Sequence, residues 1–267
     1  MKVRKSKKML EVNNFYVGDC LELLPQIENE SIDLVLTDCP YKIVAGGVSI
    51  EQSNKECGEI LKRRIKSDGS KLSNKWIPKT NEQMVCCAKN GTMFDYNEIE
   101  FNEWLPEIYR VLKQDTHCYI MINGRNLSKL QNEAEKVGFD YQNLLIWHKG
   151  NATPNLFYMQ DCEFILMLRK GKAKRINDLG SKTLISIPNI IGKKLHPTEK
   201  PIALFEHLIK NSSKENDIIL DPFSGSCPLS VACHNTKRNF ICIDIDKDFI
   251  NVGKERYYNK IAQCKLF

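Results

Sequence analysis

Two apolar runs, far apart in the chain, each end in an aspartate followed closely by a proline. Ile32 to Leu36 leads through Thr37 into Asp38-Cys39-Pro40-Tyr41, and Ile218-Ile219-Leu220 leads into Asp221-Pro222-Phe223-Ser224-Gly225-Ser226. A short apolar run closed by turn residues is the pattern of a buried strand that stops abruptly. Each run therefore delivers a carboxylate to a strand end. The first holds that carboxylate beside a proline and an aromatic ring on a short, rigid turn. The second opens toward a helix through small residues that let a nucleotide-sized ligand approach the backbone closely.

The surrounding pattern supplies the rest of a sheet. Asn14 to Gly18 reads as a strand, and Leu21, Leu24 and Ile27 follow at helical spacing before the strand Ile32 to Thr37. Further strands are expected at 117–122, 141–147 and 163–168, with a helix around 127–137. Phe101, Leu105, Ile108 and Leu112 mark another helix, which Pro106 is expected to kink or open. A closing alternation runs helix 201–210, strand 217–220, helix 225–234, strand 239–243 and helix 249–258. Strands alternating with helices predict an α/β fold, a Rossmann-like and mostly parallel sheet with helices on both faces. A single domain spanning 1–267 is expected, with residues 42–97 as an insertion too long for an ordinary loop. Ligands of such sheets bind outside the carboxyl ends of the strands. Asp38 and Asp221 are thus expected to share one crevice, an arrangement suited to two substrates.

The formal charge of +6 is unevenly placed. Residues 55–80 carry eight basic side chains, Lys62, Arg63, Arg64, Lys66 and Lys71 among them, against three acids. Residues 170–195 form a second basic, irregular stretch. Both are candidates for contact with a phosphate backbone, although on charge alone the first reads equally well as a solvated loop. The eleven cysteines form no Cys-x-x-Cys pair and the five histidines no His-Glu-x-x-His. Free buried thiols and no metal are expected. No apolar stretch approaches the roughly 20 residues that cross a bilayer, and Met1 to Lys8 lacks the apolar core of a secretory signal. A soluble, cytoplasmic protein is expected.

Asp244 ends the strand 239–243 about 20 residues beyond the Gly225 turn, where dinucleotide-type folds place a ribose-binding acid. It could instead cap the last helix, a role that Asp246 fills at least as well. Asp221, likewise, could simply hold the turn before Pro222.

Taken together, Thr37-Asp38-Cys39-Pro40-Tyr41 resembles the Asp-Pro-Pro-Tyr signature of the DNA amino-methyltransferases that use S-adenosylmethionine. His196-Pro197-Thr198-Glu199-Lys200-Pro201, followed by Leu220 to Ser226, is similar to the joined cofactor motifs of their beta class, in which the catalytic motif comes first. The likeness covers residues 13–41 and roughly 98–260. It implies a circularly permuted methyltransferase sheet and methyl transfer to the exocyclic amine of an adenine flipped out of duplex DNA. By that likeness Asp38, Cys39, Pro40 and Tyr41 form the catalytic turn: the Asp38 carboxylate and the Cys39 carbonyl accept the amino hydrogens, and Tyr41 stacks on the base. Asp19 would hold the cofactor's adenine, Asp244 its ribose, and Asp221, Phe223 and Gly225 its methionine side, with Cys20, Ser224 and Ser226 beside them. Thr198 and Lys200 would help to bind the methionine carboxylate.

Two departures stand out. Cys39 replaces the first proline, where the implied role belongs to a backbone carbonyl. Cys227-Pro228 replaces the usual Gly-Thr, so a position that often takes unusual backbone angles carries a side chain. The family's cytosine-specific members more often carry Ser at the position of Asp38, which makes a cytosine-N4 DNA methyltransferase the alternative. A catalytically inert nucleic-acid-binding module, motivated by Cys227, and an RNA methylase are the others. The implied partner is duplex DNA, with room for a homodimer and for a cognate restriction endonuclease.

Overall fold

Eight strands form one sheet in the computed structural model, which describes residues 9–40, 99–153, 158–192, 195 and 199–264. They are β1 (Asn14–Val17), β2 (Ile32–Asp38), β3 (Leu112–Ile122), β4 (Asp140–Thr153), β5 (Gln160–Lys170), β6 (Leu184–Ser186), β7 (Ile218–Asp221) and β8 (Asn239–Asp244). Their order across the sheet is β1-β8-β7-β2-β3-β5-β4-β6. Every neighbouring pair is parallel except those of β5, which runs antiparallel to both β3 and β4. Contacts group residues 1–39 and 100–267 into one unit and 40–99 into another. Tyr41 and the expected insertion at 42–97, including Lys62, Arg63, Arg64, Lys66 and Lys71, lie outside the described residues.

The central strand is β2, seated between β7 and β3. Its apolar run is buried almost throughout, as a strand covered on both faces must be. Alternation divides its side chains between two cores. Leu34 and Leu36, with Tyr119 and Met121 of β3, pack with residues of α4 (Ile202–Ser212) and α5 (Pro228–Thr236), and α6 (Lys247–Cys264) continues that layer. The other face carries the short α1 (Cys20–Leu23), α2 (Phe101–Val111) and α3 (Gly124–Val137). In α2 the buried residues Phe101, Trp104, Leu105, Ile108 and Val111 recur at three- and four-residue steps, the stripe that docks a helix on a sheet.

The helix α2 runs unbroken through Pro106, contrary to the expected opening. Pro106 lies on the exposed side, where water can serve the carbonyl left without its N–H partner. A reciprocal cap between Glu100 and Glu103 holds the first turn. Two further differences concern the stretch 170–195. It contains β6, an edge strand whose Leu184 to Ser186 pair with Ile146 to His148. Moreover, β5 runs downward and ends with Lys170 opposite Thr116, near the start of β3. The basic residues just after Lys170 therefore leave from the edge of the sheet opposite to Asp38. Lys170 itself is buried, its Nζ donating to the carbonyls of Tyr109 at 2.8 Å and Leu112 at 2.7 Å, so it ties β5 to α2 and the start of β3. Among the described residues no helix is long and apolar enough to cross a membrane.

On α6, Gly253 allows the helix to approach the turn before α5. A Cβ there would lie 2.7 Å from Cys227 Cβ and 2.9 Å from the Ser226 carbonyl. Gly253→Ala should destabilise the fold by about 1–3 kcal/mol, read as a lowered urea midpoint with an unchanged slope. An unshifted midpoint would show that this approach is not tight.

Candidate active site

Because β1, β8, β7 and β2 are parallel neighbours, their carboxyl ends share one edge of the sheet, and each delivers an acid there. Asp244, Asp221 and Asp38 are the last residues of β8, β7 and β2, and Asp19 lies two residues beyond β1. At about 4.8 Å between strands, the row spans about 14 Å. The two corners expected to meet do so on adjacent strands.

Hydrogen bonds knit the row together. The Thr37 hydroxyl of β2 donates to Asp221 Oδ1 at 2.7 Å, and the Phe223 amide donates to the same oxygen at 3.1 Å. Asp221 thus holds its turn as well as facing the edge. The Gly225 amide donates to Asp244 Oδ2 at 2.6 Å and the Asp246 amide to Oδ1 at 2.9 Å. The cap of α6 belongs to Asp246, which accepts from Asp248 N at 2.8 Å and Phe249 N at 3.3 Å. Asp19 caps α1 by accepting from Leu21 N at 2.9 Å. Cys20 is buried behind it, and burial pushes its thiol up to about 12.

The turn after β7 is built for close approach. Ser224 donates through both its amide and its hydroxyl to the Ile243 carbonyl, at 2.9 and 2.8 Å. Gly225 has φ 48°, and Cys227 takes φ 52° and ψ 48°, a left-handed conformation that a side chain occupies at a cost of roughly 1–2 kcal/mol. The position at which Cys227 replaces the usual glycine thus does take an unusual backbone, and Pro228 follows at the first helical position, where its missing N–H does no harm. Arg256 of α6 donates to the Ser226 carbonyl at 2.6 Å and to its hydroxyl at 3.1 Å, and it pairs with Glu199. Glu199 in turn accepts from Leu195 N at 2.7 Å. One guanidinium so fastens the segment carrying Lys200 to the turn. Phe223 meets the buried Trp104 edge-on at 5.1 Å between centroids.

On the other side of the row, Asp38 is 21% exposed and Lys200 only 7%. Lys200 Nζ lies 2.6 Å from Asp38 Oδ2 and 3.2 Å from Glu163 Oε2, and Lys149 Nζ lies 3.3 Å from Glu163 Oε1. The charges alternate along this chain. Burial raises the Asp38 carboxyl above its ordinary value, Lys200 opposes the rise and Glu163 adds to it. For Glu163 burial also pushes upward, but Lys200 and Lys149 together outweigh it and hold the carboxyl low. Burial raises Asp244 against the backbone N–H bonds it accepts. Cys39 is buried beside Asp38, its thiol pushed well above the usual range by burial and by that carboxylate. Pro40 follows it, half-buried.

Asp19, Cys20, Asp38, Cys39, Lys200, Asp221, Phe223, Ser224, Gly225, Ser226 and Asp244 are therefore gathered at or beside one edge. Thr198 and Tyr41 lie outside the described residues. Sequence reasoning missed Thr37, Lys149, Glu163 and Arg256, and it assigned no role to Glu199. The alternation of β4, which puts Lys149 on the face of the buried Trp147, was the available signal for one of them.

A protein-family profile described as DNA methylase matches residues 32–255. The chain belongs to the DNA methylase family. Among its relatives, the type II methyltransferase M2.MboI of Moraxella bovis is 26% identical over 265 residues, which is 92% of this chain and 87% of that protein. M.HinfI of Haemophilus influenzae is 27% identical over 269 residues, covering 92% of this chain and 68% of its own. In fold, the methylase resembles the M1.HpyAVI–SAM complex, with a TM-score of 0.61 at 24% identity over 91% of this chain and 98% of the other. It also resembles PvuII DNA methyltransferase (cytosine-N4-specific), with a TM-score of 0.63 at 17% identity over 94% and 88%.

Asp221 is raised from 3.8 to about 7, chiefly by burial, which outweighs the bonds from Thr37 and Phe223, while Asp244 and Asp38 add repulsion. The folded methylase then binds a proton that the unfolded chain releases, so this group costs stability as pH climbs from about 4 to about 7. Relative to the parent, Asp221→Asn should gain stability across that window, by on the order of a few kcal/mol, in urea unfolding from pH 4.5 to 8. Parallel pH profiles would mean that Asp221 is ionised throughout.

Proposed function

We propose that this methylase transfers the methyl group of S-adenosylmethionine to the exocyclic amine of an adenine turned out of duplex DNA, with Asp38 accepting the amine. The observation that carries the proposal is the placement of Asp38 on the strand end next to the Asp221 to Ser226 turn, along a single edge. The interval from Asp19 to Asp221 crosses two strand gaps, about 10 Å, a length suited to a nucleoside with an amino-acid tail. Gly225 adds no side chain in the way, and the half-buried Asp244 still offers lone pairs for hydroxyl donors. The likeness to a SAM-bound fold relative agrees with that fit.

In this reading Asp19 and Cys20 flank the adenine, Asp244 binds the ribose, and Asp221, Phe223, Ser224, Gly225 and Ser226 line the methionine side. Lys200, with three donors, can hold Asp38, Glu163 and a cofactor carboxylate together, with Thr198 assisting. The bound cofactor supplies an electrophilic methyl group. Asp38 and the Cys39 carbonyl each accept one amino hydrogen, which draws the nitrogen toward tetrahedral geometry and turns its lone pair toward the methyl group. As positive charge grows on that nitrogen, the fixed carboxylate binds the transition state more strongly than the ground state. Flipping the base costs a few kcal/mol, and stacking on Tyr41 beside Pro40 offsets part of it.

Adenine is favoured over cytosine by the aspartate at position 38, following the family habit of serine in cytosine-specific members. Nucleoside digests of methylated DNA should contain N6-methyladenine, and N4-methylcytosine alone would reverse the assignment. Asp38→Ala should lower turnover at least about 100-fold while calorimetric affinity for S-adenosylmethionine changes little. Retained turnover would end the proposed mechanism. The type II names of the relatives support a place beside a restriction endonuclease, with duplex DNA as substrate.

Lys62, Arg63, Arg64, Lys66 and Lys71 are proposed to hold the DNA backbone. Replacing them with glutamine should flatten the dependence of log affinity on log salt by about 0.9 for each phosphate that they neutralise. An unaltered slope would remove them from the interface.

A further inference from the structure

We propose that Lys149 and Glu163 are positioning residues that seat Lys200 and, through it, set the orientation and the charge of Asp38. The geometry is a four-member chain of alternating sign, drawn from four separate segments. Lys149 comes from β4, Glu163 from β5, Lys200 from the segment before α4, and Asp38 from the end of β2. The register of the β4–β5 pair puts Glu163 opposite Trp147, and alternation puts Lys149 on that same face. The indole of Trp147 is itself fixed, donating from Nε1 to the Ile187 carbonyl at 2.8 Å. The far end of the chain is thus anchored in the paired strands β4 and β5.

The arrangement answers a physical problem at the edge. A largely buried ammonium needs counter-charge. Were Asp38 its only partner, Lys200 would pair with it fully and withdraw the oxygens that the amine must use. Glu163 takes a share of the ammonium and, among the described residues, leaves Asp38 with one ion-pair partner at one oxygen. Lys149 in turn neutralises the second half of Glu163, so that Glu163 does not draw Lys200 away. Buried ion clusters contribute little net stability, so scaffolding alone is a weak reason for this one. Among the described residues, the charged and titratable groups that face Asp38 are Lys200, Glu163 behind it, Asp221 on β7 and the thiol of Cys39.

The alternation predicts alternating effects. Removing the negative charge of Glu163 frees more of the Lys200 charge for Asp38, takes away a repelling neighbour, and should lower the pH at which Asp38 titrates. Removing the positive charge of Lys149, or of Lys200, should raise it. The titration is read on the cofactor-free full-length protein by carboxyl 13C NMR with labelled aspartate, the Asp38 resonance being identified by its loss in Asp38→Asn. Glu163→Gln should move the midpoint down, and Lys149→Met and Lys200→Met should move it up. If Lys200→Met does not fold, the opposed shifts of the other two still decide.

The kinetic half rests on Asp38 being the methyl-transfer carboxylate. Glu163→Gln should lower kcat on the order of 10-fold to 100-fold, the loss that follows small misplacement. KM for DNA and cofactor should stay within a few-fold, and the acid limb of the kcat profile should move to lower pH. Glu163→Asp should restore part of the rate. An unmoved Asp38 midpoint in both Glu163→Gln and Lys149→Met, or shifts in one common direction, would overturn the inference. Absence of methyl transfer by the parent protein on any DNA would instead overturn the proposed function, while the titration would still decide the inference.

Discussion

The parallel seating of β2 against β7 is the contact on which the rest of the site depends. Leu34 lies opposite Ile219 and Val35 opposite Leu220, and the Thr37 hydroxyl closes the pair by donating to Asp221. A buried hydrogen bond of this kind matters most by its absence, since without Thr37 the buried Asp221 carboxyl would keep one donor fewer, and an under-satisfied buried polar group costs about 1–3 kcal/mol. The bond also fixes the two strand ends in height, and with them the catalytic turn and the glycine turn. Segments more than 180 residues apart in sequence are thereby held at one strand spacing.

The same edge collects charge that the fold would otherwise avoid. Asp38, Asp221 and Asp244 are all raised, first by burial, and for Asp221 the other two add repulsion. The molecule offsets this with backbone N–H groups at Asp244, with a hydroxyl and an amide at Asp221, and with a lysine at Asp38. At the half-buried Asp38 and Asp244 this leaves lone pairs for an incoming donor, while the buried Asp221 holds its turn. An edge poised in this way suits ligands that bring hydroxyl and amino groups, and its residual strain, including the left-handed Cys227, is typical of functional sites.

Much of this was legible in the chain, for identifiable reasons. Ile32 to Leu36 and Ile218 to Leu220 are apolar without interruption save for Asp33, so their strand character does not depend on context, and the aspartates after them mark the ends. The acid of Asp244 follows from spacing alone. What stayed hidden was long-range. Glu163 and Lys149 meet because β4 and β5 pair in one register, and a one-residue slip would have put them on opposite faces. Arg256 reaches Ser226 and Glu199 only once α6 has docked through Gly253. The strand β6 is three residues long with exposed Leu184 and Ser186, and its pattern is too short to separate from a loop. Pro106 misled because its effect depends on which side of α2 meets water.

The account is tested most directly by a crystal structure of the protein with S-adenosylhomocysteine and a duplex carrying its target site. It predicts the purine of the cofactor beside Asp19, its ribose on Asp244, its amino-acid end over the Asp221 to Ser226 turn, and an everted adenine whose amine meets Asp38 and the Cys39 carbonyl. A cofactor seated away from that edge, or a flipped base that leaves Asp38 on Lys200 alone, would contradict it.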